Sequence, residues 1–297
     1  MPQDHSAIHV PVLLDEVLAW LQPQQDGLYV DGTLGLGGHG QAILEKSSPT
    51  GRLIGFEWDE DAAGRAAEQL ASYAERLRIV RASYADLVPE LARLEVGQVD
   101  GLIADLGVSS LQLDRAERGF SFRTESDLDM RMDRRNPMTA ASLVARLSEE
   151  QLADIFYYYG EERQARRIAR FLVQARQEEP VATTGRLAAI VAEAVPRKYH
   201  PQKVHVATKV FQALRIAVNS ELDNLTRLLA TAPDVLKRGA RICIITFHSL
   251  EDRIVKQIFV QNPAYRVLTK RPIEPSAEEK VRNPRARSAK LRVAARD

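Results

Sequence analysis

At 297 residues the chain is long enough to bury one large core or two smaller ones. Hydrophobic residues make up 45% and charged residues 27%, as in a soluble globular protein, and the net charge of +1 excludes a polycation, so affinity for nucleic acid must come from local clusters. A single cysteine, Cys243, excludes an intrachain disulfide framework and fits a reducing compartment; within the apolar run RICIITF it reads as buried filler.

The opening stretch MPQDHSAIHVPVLLDEVLAWL has early charges and only short apolar runs. It is expected to be neither a signal peptide nor a membrane span, which places the protein in the cytoplasm. GLYVDGT then reads as a strand, GHGQAILEKS as a helix opening on glycines, GRLIGFEWD as a second strand and EDAAGRAAEQLASYAE as a helix. RLRIVRASY and VDGLIADLG complete a series of four strands. Strands alternating with helices predict an α/β fold with a doubly wound parallel sheet, whose ligands bind beyond the carboxyl ends of the strands. Those ends carry Asp31, Glu57, Tyr84 and Asp105.

From about residue 114 the character changes to a charge-dense segment followed by helices. Ser148 and Gln151 form a capping-box pattern opening one long helix, SEEQLADIFYYYGEERQARRIARFLVQARQ. GRLAAIVAEAV is a second helix, ended by Pro196. Such a helical interruption reads as an inserted lobe. The α/β pattern returns with the long helix ATKVFQALRIAVNSELDNLTRLLATA, a further helix stopped at Gly239, and the strand RICIITF. HSLEDRIVKQIF is a helix for which Ser249 and Asp252 fit the cap, and SAKLRVAAR alternates like a last strand.

Gly35, Gly37 and Gly40 spell GxGxxG, the dinucleotide fingerprint, with Glu57 placed for a ribose. Asp31, just before these glycines, has no use in a plain nicotinamide turn. It suits a cofactor with a cationic amine, as S-adenosylmethionine has. DLGVSSLQLD after the fourth strand stands where a doubly wound methyltransferase faces the transferable methyl; the bland alternative is a turn capped by Ser109 or Ser110. His248 stands at another strand end, either to touch substrate or to order its loop. The histidines are scattered and Cys243 has no cysteine partner, so no metal site is expected. Two basic stretches suit phosphate contacts: RKYHPQKVHVATK, with Arg197, Lys198, Lys203 and Lys209, and the tail KVRNPRARSAKLRVAAR, with Arg282, Arg285, Arg287 and Lys290. Tyr199 and the two histidines of the first stretch are available for stacking.

The strings HVPVLLDEVL, DGTLGLGGHG, DLGVSSLQLDRAERGFSF, LDMRMD, YGEERQARRIAR, FQALRIAVNSEL, FHSLEDRIVK and NPRARSAKLRVA occur in the order of one family. The chain resembles, over nearly its whole length, the bacterial 16S ribosomal RNA (cytosine-N4)-methyltransferases of the RsmH or MraW family. That resemblance implies a class I S-adenosylmethionine fold formed by residues 1–113 and 213–297, with an inserted helical substrate-recognition domain over 114–212. It implies N4-methylation of a cytidine in the decoding region of 16S rRNA within the small ribosomal subunit. Carried over by motif, the cofactor contacts are Gly37, Gly38, His39, Glu57, Tyr84, Asp105 and Gln112, beside the Asp31 argued above. Glu57 stands where aspartate is usual and Tyr84 where phenylalanine is; both keep the needed chemistry. Gly40 replaces a usual serine and so creates the dinucleotide look. Val206 and Lys209 replace a usual proline and arginine, and lysine lacks arginine's planar fork.

Asp105 and His248 are the candidate catalytic residues, Asp105 as the acceptor of an N4 hydrogen bond. Two alternatives make different predictions. A nicotinamide oxidoreductase would bind NAD and leave Asp31 and the basic tail idle. A non-catalytic ribosome-assembly factor with the same fold would bind the subunit without transferring a methyl group.

Overall fold

The computed structural model describes residues 11–297; residues 1–10, with His9 and Val10 of the first family string among them, lie outside it. The chain forms two compact units, one of residues up to 107 together with 222–297, the other of residues 108–221.

The first unit runs α1 (Leu14–Leu21), β1 (Leu28–Asp31), α2 (Gly38–Lys46), β2 (Arg52–Phe56), α3 (Glu60–Gln69), β3 (Leu77–Val80), α4 (Leu87–Arg93) and β4 (Val99–Asp105). The strands are short apolar runs buried on both faces, as parallel strands covered by helices must be. On one face Val17, Ile43 and Leu44 of α1 and α2 and Ala66 of α3 pack against Tyr29, Leu53 and Ile103. On the other, Leu87 and Leu91 of α4 meet Val30, Ile54 and Leu102.

The second unit holds α5 (Ser110–Asp114), α6 (Ala140–Arg146), α7 (Glu149–Tyr158), α8 (Ala165–Glu178), α9 (Thr184–Ala194) and α10 (Thr208–Asn219). The Ser148–Gln151 capping box opens α7 as expected. The single helix predicted beyond it is instead two, α7 and α8. The chain turns at Gly160, where a Cβ would sit 2.7 Å from the Lys209 and Phe156 carbonyl oxygens, and at Glu161, which is left-handed at φ 48°. Near the seam at residue 221, Asn219 accepts from Met132 N at 2.7 Å and donates to Met130 O at 2.8 Å, so the LDMRMD string is tied to the end of α10.

The chain re-enters the first unit through α11 (Glu221–Val235), then β5 (Leu236–Thr246), α12 (Ser249–Gln261), β6 (Tyr265–Val267), α13 (Ala277–Arg282) and β7 (Lys290–Arg296). The long helix expected over ATKVFQALRIAVNSELDNLTRLLATA is broken at Ser220, left-handed at φ 50°, which makes it α10 and α11. The seams at 107/108 and 221/222 follow the end of β4 and this break, a few residues from the 113/114 and 212/213 expected for the inserted domain. The further helix expected to stop at Gly239 is the end of α11, which finishes at Val235. Gly239, at φ 81°, belongs to an irregular stretch where the β4–β5 register shifts.

The sheet has seven strands in the order β3-β2-β1-β4-β5-β7-β6. Strands β1 to β5 are parallel, and β7 runs antiparallel between β5 and β6. β7 does not alternate as the sequence suggested: its interior is buried on both faces because it is a central strand. β6 is three residues long and was not visible in the sequence pattern. Arg292 of β7 is buried and paired bidentately with Asp252 of α12, at 2.6 and 3.1 Å.

Candidate active site

The parallel register brings the carboxyl ends of β1, β2 and β4 side by side, with Asp31 opposite Gly55 of β2 and Ile103 of β4. The turn leaving β1 is bonded to both neighbours: Gly32 N donates to Ile103 O at 2.8 Å and Leu34 N to Phe56 O at 2.9 Å. Gly37, the residue before α2, has φ 90° and packs where a Cβ would lie 2.7 Å from Leu70, so only glycine turns the chain there without strain. Gly40 answers to packing: its missing side chain lets α2 lie against Leu53 and Leu34.

Three acids surround this turn. Asp31 is buried and accepts from Thr33 N at 3.0 Å; burial pushes its carboxyl up to about 7. Glu57 is buried and accepts from Gly35 N and Asp59 N, both at 2.9 Å. Burial, with the charges of Asp59 and Asp31, pushes it up to about 8. Asp105 keeps 21% of its side chain exposed, yet its Oδ1 is enclosed and has no hydrogen-bond partner. Burial first, then the charges of Asp31 and Glu251, raise it well above the ordinary carboxylate range. Its Oδ2 lies 3.9 Å from Nδ1 of His39, which is buried on the first turn of α2 with Nε2 2.9 Å from the Val12 carbonyl.

Tyr84 is buried beyond β3, opening a turn capped by Ser83, with its ring 6.4 Å from that of Trp58. Three acids gathered at neighbouring strand ends, one with an orphaned carboxylate oxygen, and the Tyr84 ring beyond β3 suit a flat ligand bearing positive charge. The hollow lined by Leu28, Arg52, Arg76 and Gln98 is elsewhere, at the amino ends of the strands.

His248 is the N-cap of α12: its Nδ1 accepts from Glu251 N at 3.4 Å, while Glu251 accepts from Phe247 N at 2.8 Å. The cap is thus His248, not the Ser249 or Asp252 expected; Asp252 is spent on Arg292. Gln112 lies in the helical unit, where it is buried and closes a capping box with Ser109, whose N it accepts at 3.0 Å.

In the helical unit Arg197, Lys198 and Lys203 are exposed, and Lys198 Nζ lies 4.9 Å from the centre of the Tyr199 ring. Lys209 is exposed and donates to Glu161 O at 2.8 Å. His200 is tied to Val195 O, whereas His205 stacks 4.7 Å from Phe122. In the first unit Arg282, Arg285 and Arg287 are exposed around a 3-10 turn, and Lys290 faces Asp252 at 3.7 Å. Among the described residues no group of three or more His, Cys, Asp or Glu side chains could hold a metal ion, and no helix is long and apolar enough to cross a membrane.

A sheet of this order with an antiparallel β7, a glycine turn after β1 and acids on the ends of β1, β2 and β4 defines a class I S-adenosylmethionine-dependent methyltransferase. The chain belongs to the MraW methylase family, whose sequence model matches residues 6–297. It is 55% identical to the ribosomal RNA small subunit methyltransferase H of Desulfotalea psychrophila, over 98% of this chain and 99% of that one. It is 46% identical to the enzyme of the same name from Syntrophus aciditrophicus over the whole of both chains, and 50% identical to that of Cyanothece sp. over 97% and 95%.

Proposed function

We propose that the protein transfers a methyl group from S-adenosylmethionine to N4 of a cytidine in the decoding region of 16S rRNA in the small ribosomal subunit. The observation that carries the reading is the set of acids at the strand ends, Asp105 Oδ1 unpartnered among them, in a chain that matches ribosomal RNA small subunit methyltransferases H end to end.

Asp31 would take the cofactor's amine and Glu57 its ribose, with Tyr84 as the wall beside the base and Gly37, Gly38 and His39 letting backbone approach. When bound, S-adenosylmethionine supplies an electrophilic methyl group on a sulfonium. The rest falls to the chain. A cytosine amine is a weak nucleophile because its lone pair is delocalised into the ring. Asp105 Oδ1 can accept an N4 hydrogen bond, turn the lone pair toward attack and disperse the developing charge. Holding the reactants in line contributes roughly 7–11 kcal/mol relative to free encounter. The base must leave its stack, at roughly a few kcal/mol. Contacts of Arg197, Lys198, Lys203, Lys209, Arg282, Arg285, Arg287 and Lys290 with phosphates would offset that cost.

The test is labelled S-adenosylmethionine with small subunits lacking the modification, then nucleoside analysis of the digested RNA. Label in N4-methylcytidine, lost with Asp105→Ala, supports the reading. Subunits that bind while they, naked RNA and DNA all stay unlabelled would sink it.

A further inference from the structure

Pro11, Val12 and Leu13 form a short strap against the first turn of α2. A Cβ on Gly38 would lie 2.5 Å from Pro11 Cγ, so the strap sits where glycine admits it. The Val12 carbonyl oxygen is 2.9 Å from Nε2 of His39. Gly38 and His39 directly follow the left-handed Gly37 in the turn assigned to the cofactor. Leu13 fixes the course of the strap. It is left-handed, at φ 54° and ψ 36°, with its side chain wholly buried. Leucine in that region costs about 1–2 kcal/mol, because its Cβ crowds the following carbonyl oxygen. The Leu13 carbonyl accepts from Val17 N at 2.9 Å and opens α1. Its N–H donates to Oε1 of Glu279 at 2.8 Å, across 266 residues of chain.

Glu279 is buried on α13, where a glutamate is rare. Its backbone is held at both ends: its N–H donates to the Ser276 cap at 3.1 Å, and its carbonyl accepts from Asn283 N at 2.7 Å. A carboxylate is a stronger acceptor than a neutral oxygen, and a buried N–H must be paired. The Glu279 contact therefore offsets the strain at Leu13.

We propose that Glu279 is a positioning residue for the cofactor. By holding the Leu13 N–H it keeps Leu13 left-handed and the strap on Gly38 and His39, and so fixes the turn that binds S-adenosylmethionine. This rests on the placing of the cofactor at that turn under the proposed function. Without the acceptor, Leu13 carries both a strained backbone and an unpaired N–H. It sheds both by turning to an ordinary φ, which moves Val12 and Pro11 off α2. Glu279 acts through the backbone of the strap, so its effect falls on cofactor affinity and not on the transfer step once cofactor is bound.

The first measurement is amide hydrogen exchange in the ligand-free protein. Leu13 is expected to exchange at least about tenfold faster in Glu279→Leu than in the wild type, with Val30 of β1 unchanged. Equal protection of Leu13 in both overturns the proposal. The second is calorimetry with S-adenosylmethionine. Glu279→Leu is expected to weaken binding about tenfold or more, whereas Glu279→Gln, which keeps an accepting Oε1, stays within about threefold. No loss in the leucine variant, or the same loss in both, overturns it. Leu228→Ala on α11, buried in the core of the other sheet face, is the control for lost stability and should leave cofactor affinity unmoved.

In single turnover at saturating cofactor, Glu279→Leu is expected to transfer methyl within about threefold of the wild-type rate. A rate that stays low at saturation, with affinity unchanged, overturns the proposal. Cofactor affinity untouched by Gly37→Ala would remove the cofactor from this turn by itself, while exchange at Leu13 still decides whether Glu279 holds the strap.

Discussion

The backbone nitrogen of Asp105 donates to the Thr33 hydroxyl at 2.6 Å, which pins the end of β4 to the turn leaving β1. Thr33 also gives its own N–H to Asp31, so one residue spaces two of the acids. Thr33→Val keeps the shape and leaves the Asp105 N–H without this partner. It should cost about 1–3 kcal/mol of stability, read by denaturant unfolding, and weaken cofactor binding measured by calorimetry.

Asp105→Asn keeps the size of the side chain but removes its proton affinity. Methyl transfer in single turnover should fall roughly 10²–10⁴-fold. Unfolding midpoints should hold or rise, since a carboxylate under charge repulsion has been removed. An activity near that of the wild type would show that the amine needs no ionisable acceptor at this position.

The pH dependence of stability follows from Asp31, pushed up to about 7, and Glu57, pushed up to about 8. Both hold a proton in the fold at pH values where the unfolded chain has lost it. Their stabilisation is therefore complete below the ordinary carboxylate range and is lost as pH rises through these values. In the ligand-free protein, the stability of Asp31→Asn relative to wild type should climb from about pH 4 to pH 7 and level off beyond. Cofactor binding should run the other way: a cationic ligand favours the ionised acids, so affinity rises with pH over the same window and protons are released. Calorimetry in buffers of different ionisation enthalpy measures that release directly.

Gly37→Ala tests the turn. A methyl group at φ 90° and 2.7 Å from Leu70 should cost about 1–3 kcal/mol and lower cofactor affinity. Gly64→Ala is the control, on a helix where a Cβ meets nothing within 4 Å, and should be neutral or slightly stabilising.

Arg282 and Arg287 are exposed on the stretch around the 3-10 turn Pro284–Ser288. Exchanging both for glutamine should weaken subunit binding and flatten its salt dependence, by a slope of about 0.7 per lost contact on single-stranded RNA. Thermal stability and cofactor affinity should not change. An unaltered salt slope would remove this turn from the RNA contact.

What was legible in the sequence was what interrupts a pattern. Asp31, Glu57 and Asp105 could be found because each ends an apolar run too short to be anything but a buried strand. The break at Ser220 was hidden because serine seldom takes the left-handed position that ends a helix, whereas Gly160, a common stop signal, was read through because the apolar and charged pattern continues on both sides of it. His248 as a cap was missed because an imidazole seldom takes the place of serine or aspartate. The Val12–His39 contact joins residues in different elements, so no local pattern could show it. Arg292 read as one more tail cation, although the register of β7 puts it against Asp252 in the interior.

β7 is synthesised after β5 and β6 yet lies between them. Until it is made, β5 has an open edge, and β6 has no strand to pair with. A nascent chain can therefore assemble the strands that carry Asp31, Glu57 and Asp105 while its sheet still offers a sticky margin to neighbouring chains. Chaperone demand during translation should peak in the interval between release of β5 and arrival of β7.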